Sequence, residues 1–166
     1  MVLIGLSLMG SAFASDLAVA RVEAHSQAKP AEEVVRVLAD LLNRKDESWV
    51  WVLVRGEKFA ANILRTEGGT LKLLVQLQPL DKEARARVLR FFGRLNVKPE
   101  TRKTWVGPDF HEVSQVFVAM DFGRDAHRAA RVAVGLLDEI RGASSDFAAT
   151  AELHCKVDGH PTTQCP

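Results

Sequence analysis

Val34, Leu38, Leu41 and Leu42 recur at the spacing that lines one side of an α-helix. Pro30 suits the first turn of such a helix, where its missing N–H costs nothing. Glu32 and Glu33 lie at the end where the helix dipole favours negative charge, and Arg44-Lys45 at the end where it favours positive charge. The pattern predicts a helix over 30–44. The period then changes. Residues 48–55 read Ser-Trp-Val-Trp-Val-Leu-Val-Arg, rich in the β-branched and aromatic residues that suit a pleated strand. Gly56-Glu57 supplies a two-residue turn, residues 58–66 return as a second strand, and Gly68-Gly69 marks the next reversal. Over 70–78 the alternation is strict: Leu71, Leu73, Val75 and Leu77 on one side, Lys72, Leu74, Gln76 and Gln78 on the other. Three strands joined by short turns predict an antiparallel meander.

Pro79 ends that strand and Asp81 can cap a second helix over 81–95, with Ala84, Val88, Phe91, Phe92 and Leu95 as its apolar stripe. Residues 97–111, broken by Pro99, Gly107 and Pro108, leave room for a short strand at Thr104-Trp105-Val106. A strong strand follows over 112–122, with Val116, Val118, Met120 and Phe122 on one side. Asp125 opens a third helix to Arg141, with Ala126, Ala130, Ala133, Leu137 and Ile140 on its buried face and Gly142 at its stop. Residues 143–166 read as a tail without a clear period. The order α-β-β-β-α-β-β-α predicts an α+β fold, an antiparallel sheet with helices packed on one face.

Composition narrows the reading. The chain has 166 residues, 47% of them apolar and 26% charged, which fits one globular domain, placed over 30–142. Lys and Arg number 22 against 21 Asp and Glu, so the near-zero balance offers no basic footprint for nucleic acid. The apolar run Val2–Met9 followed by Ala12-Phe13-Ala14 has the form of a secretory signal peptide over 1–14. The run is too short to span a bilayer, so stable membrane insertion is not expected. The mature chain is then expected in the periplasm or outside the cell, with a poorly ordered segment over 15–29.

The element order over 30–142, with the Trp49–Gln78 meander and the closing helix, resembles the class I type III secretion chaperone fold and the YbjN-type proteins that share it. The resemblance implies a non-enzymatic binding module, often a homodimer, that holds a partner segment and needs no cofactor. Those chaperones are acidic and cytosolic. In a near-neutral chain with an export signal, the resemblance implies a generic binding role.

Four groups of residues are candidates for function. The strand at 48–55 is apolar on both sides, with Trp49, Trp51 and Leu53 on one and Val50, Val52 and Val54 on the other. Helices on one face cannot cover both, so Trp49, Trp51 and Leu53 are expected to meet a protein or peptide partner, a second copy, or another segment of the chain. Arg87, Arg90 and Arg94 form one stripe on the second helix and are a possible anion-binding face. Cys155 and Cys165 are expected to form a disulfide in an exported protein. The alternative is that His154, Cys155, His160 and Cys165 bind a metal ion, which a disulfide excludes because it has no thiolate to offer. Asp109, His111, Glu112 and Ser114 hold acid, base and nucleophile types, but catalytic sets of that kind converge from distant segments, and no catalytic residue is assigned.

Overall fold

The computed structural model describes residues 32–54, 59–106, 111–142 and 149–165. The expected signal peptide, the segment 15–29 and the Gly56-Glu57 turn lie outside them. The elements are α1 (Glu32–Asn43), β1 (Ser48–Val54), β2 (Ala60–Arg65), β3 (Leu71–Gln76), α2 (Lys82–Arg94), β4 (Glu100–Val106), β5 (His111–Asp121), α3 (Ala126–Arg141), β6 (Ala149–Val157) and β7 (His160–Thr162). The strands form one sheet in the order β4-β5-β3-β2-β1-β6-β7, and every neighbouring pair is antiparallel. The fold is the expected α+β arrangement of helices packed on an antiparallel sheet.

The expected order holds through α3 and then continues. The stretch read as a tail supplies two more strands, and β6 runs beside β1 with Val50 opposite Leu153 and Trp51 opposite Glu152. Its helix-side residues are small or apolar (Ala149, Ala151, Leu153), and Thr150, Glu152 and His154 take the other face. Asp158 and Gly159 both have positive φ, 52° and 82°, which is what a tight two-residue hairpin between β6 and β7 requires. A domain ending at residue 142 would leave β1 as an edge strand. With β6 in place it is the third strand from one end.

All three helices share one side of the sheet. Val50, Val52 and Val54 from β1, Ile63 from β2, Leu71, Leu73 and Val75 from β3, and Val118 from β5 point to that side and are buried beneath them. Asp81 and Asp125 cap α2 and α3, accepting from Ala84 N at 2.8 Å and Arg128 N at 2.9 Å. The buried face of α3 is wider than one helical stripe. Ala129, Val132, Val134, Gly135 and Leu136 join the expected positions, because α3 is the middle helix and packs on α1, α2 and the sheet. Its small residues allow that three-sided approach.

Candidate functional site

Strand geometry sends alternate side chains to opposite faces, so the residues between the buried valines of β1 point away from the helices. Trp49 and Leu53 are half-buried there and Trp51 is 39% exposed. Their cross-strand neighbours on this outer face are Leu64, Asn62 and Ala60 of β2 and His154, Glu152 and Thr150 of β6. Leu74 of β3 extends the apolar surface, opposite Asn62. The three residues singled out in the sequence therefore sit together on a sheet face that none of α1, α2 and α3 covers.

β6 adds a group that sequence reasoning placed elsewhere. The His154 ring lies 4.1 Å, centroid to centroid, from Trp51 and 5.7 Å from Trp49, stacked within 10° on the latter. The two indoles shield it, and only 8% of the residue is exposed. Its Nε2 stands 3.6 Å from Glu152 Oε2, beyond hydrogen-bond distance, and has no hydrogen-bond partner. Asn62 Oδ1, on the other flank of Trp51, is buried and also lacks a hydrogen-bond partner. Polar atoms left in this way inside an apolar surface carry a desolvation penalty of roughly 1–3 kcal/mol each.

The metal alternative does not assemble. Cys155 and Cys165 form a disulfide that ties the end of the chain back to β6, so neither offers a thiolate. His154 and Cys155 are consecutive on a strand and point to opposite faces of the sheet. Among the described residues no group of three or more His, Cys, Asp or Glu side chains is placed to hold a metal ion. His160 is exposed at the hairpin end of β7.

The arginine stripe has internal partners. Arg87 binds Glu83 at 2.6 Å and donates to Ile140 O at 3.0 Å, closing a carbonyl at the end of α3. Arg94 reaches Glu139 at 2.6 Å and Arg90 reaches the same carboxylate at 3.4 Å. The stripe thus braces α2 against the last turn of α3, and its charge is partly neutralised before any anion arrives. A Cβ at Gly142, whose φ is 77°, would stand 2.5 Å from Arg87 Nη1, so the stop of α3 and this brace fit each other closely.

Asp109 lies outside the described residues. His111 and Glu112 begin β5, paired with Val106 and Trp105 of β4, and Ser114 is exposed, its carbonyl accepting from Gln78 Nε2 at 3.1 Å. An open depression between α1 and the start of α3 brings Glu32, Glu33, Arg36 and His127 to its rim. No helix among the described residues is long and apolar enough to cross a membrane. The chain matches no protein-family model, no curated protein and no solved structure. The outer face of the sheet, with Trp49, Trp51 and Leu53, is the candidate functional site.

Proposed function

We propose that this chain is an exported, non-catalytic binding module that holds an extended protein or peptide segment, or a second copy of itself, against the outer face of its sheet. The observation that carries this reading is Trp51, an indole 39% exposed in the middle of an apolar strand row, with Trp49, Leu53 and Leu74 around it. Covering the exposed part of such a ring removes on the order of 100 Å² from water and stabilises a complex by about 2.5 kcal/mol. That is the size of a typical interface hot spot, in which tryptophan is enriched. Export is proposed from the apolar run over 2–9 followed by Ala12-Phe13-Ala14, and the Cys155–Cys165 disulfide is a bond of the kind that persists in oxidising compartments.

Trp51→Glu tests the reading. Its side chain already meets water, so the variant folds with an unchanged far-ultraviolet spectrum. Native mass spectrometry of protein purified from the periplasm of a bacterial host is expected to show a dimer or a partner-bound species for the parent and a bare monomer for the variant. Identical assembly in the two proteins, or a bare monomer in both, overturns it.

A further inference from the structure

The edge of the sheet beside Trp51 indicates what the face holds. This inference rests on the binding-module reading and names the partner's chemistry. β7 pairs with β6 only at Cys155, Lys156 and Val157. Among the described residues, the outer side of Ala149–His154 has no strand partner. Lys156 N–H donates to Glu47 O, on the β1 side. By alternation Thr150, Glu152 and His154 also turn their backbone groups to β1, and Ala149, Ala151 and Leu153 turn theirs outward. Among the described residues no strand pairs with these groups, which leaves places for an added strand. The opposite edge is defended differently. There β4 presents Glu100, Arg102 and Lys103, all exposed, the kind of charge that discourages strand pairing. The open run of β6 carries one charge, Glu152.

That charge has a definite setting. The Glu152 side chain is 52% exposed and lies directly across from Trp51. A carboxylate and a π face both favour a cation. Because Glu152 turns its backbone to β1, its place on the open edge is a non-hydrogen-bonded one, where facing side chains come closest. We infer that the β6 edge takes an extended segment of a partner polypeptide as an added strand. That segment sets an arginine opposite Glu152, with its guanidinium against the exposed rim of Trp51.

Two capped peptides test this against the full chain: Val-Thr-Val-Arg-Val-Thr-Val, and the same peptide with citrulline, a neutral isostere, in place of arginine. Tryptophan fluorescence titration is expected to show the arginine peptide binding about tenfold more tightly, the size expected of a charge-assisted pair at a partly exposed site. Glu152→Gln is expected to remove that difference. Ala151→Pro, which deletes an outward N–H and leaves the β1 ladder intact, is expected to abolish binding of both peptides. Hydrogen exchange is expected to slow at Ala151 and Leu153 when the arginine peptide is bound. Equal affinity for the two peptides overturns the arginine assignment and leaves the binding-module reading standing. Tight binding that survives Ala151→Pro overturns strand addition. Slow exchange at those amides without peptide also overturns the inference, since the edge is then filled by a second copy if the mass doubles, or by the chain itself if it does not. Failure of both peptides to bind overturns this inference and leaves the binding-module reading standing if the parent protein assembles, whereas a bare monomer for both the parent and the Trp51→Glu protein overturns the proposed function as well.

Discussion

The two faces of the sheet are built from the same strands, and at β1 and the Leu73-Leu74 pair from apolar residues on both sides, yet those residues have opposite fates. On β1 the helix side is Val50, Val52 and Val54, all buried, and the other side is Trp49, Trp51 and Leu53, half-buried or exposed. On β3 the neighbours Leu73 and Leu74 are chemically identical, and only Leu73 is fully buried. Along β1, and between these two leucines, apolar character does not separate the faces. What separates them is that the crossovers through α2 and α3, and the entry through α1, put every described helix on one side. The proposed function takes the apolar row that no described helix covers as a contact surface, and under that proposal Trp51 is functional where Val52 is structural.

The adjacent leucines give the largest contrast. Leu73→Ala is expected to cost about 3 kcal/mol, the lost transfer energy plus the cavity left in a close-packed core. Leu74→Ala is expected to cost about 1 kcal/mol or less. Urea unfolding of the two variants measures both. Similar losses would break the comparison, because they would mean that the outer face is covered within the folded chain.

Next in size is the disulfide. β7 has three residues, one of them Pro161, which has no N–H to donate. Cys165→Ser with Cys155→Ser is expected to lower stability by about 2–3 kcal/mol in the chain-entropy view of a loop this short. Thermal unfolding under non-reducing conditions reads the loss. A smaller step tests the helix layer alone: Asp125→Ala removes the acceptor for Arg128 N–H and is expected to cost about 1 kcal/mol, leaving peptide binding at β6 unchanged.

How much of this was legible in the sequence differs by region. Up to α3 the hydrophobic period predicts every element except β4, because amphipathic helices and half-buried strands write their burial into the spacing of apolar residues; β4 begins at Glu100, four residues before the short strand expected at Thr104-Trp105-Val106, and its first half, Glu100-Thr101-Arg102-Lys103, is polar and carries no period. Trp49, Trp51 and Leu53 could be singled out because a strand apolar on both sides needs two covers. The tail expected over 143–166 holds β6 and β7 instead, and the signal is in the sequence: Ala149 to Val157 alternates as regularly as β3 and Asp158-Gly159 is a strong hairpin signal. The same stretch holds His154, Cys155, His160 and Cys165, and their ligand-type side chains favoured a tail reading. The period-2 pattern itself argues against a shared metal, since it sends His154 and Cys155 to opposite faces. The pairing of the arginine stripe could not be read, because Glu139 lies far away in sequence and reaches Arg90 and Arg94 only once α2 and α3 are packed side by side.

The smallest expected effect concerns what keeps the two faces from exchanging places. A slip of one residue at the start of β1 would turn Trp49, Trp51 and Leu53 inward and the valines outward. The connection that sets this register is short and bound together: Arg44 Nε donates to Asp46 Oδ1 at 2.9 Å and to Ser48 Oγ at 3.1 Å, and Arg44 Nη2 donates to Asp46 Oδ2 at 2.7 Å. The hydrogen bond from Arg44 lowers the Asp46 pKa from 3.8 to about 2, with Ser48 and the guanidinium charge acting in the same direction. A carboxyl held below its unfolded value stabilises the fold above that value and loses its contribution as pH falls toward the folded one. Asp46→Asn is therefore expected to be slightly less stable than the parent at pH 6, with the gap closing between about pH 4 and pH 2. The site is partly solvated, so the gap is small. Denaturant midpoints of the two proteins across that range provide the check. A gap that stays constant into acid would mean that the ionised carboxylate does not hold the register and that the buried Ser48 and the valine row hold it unaided.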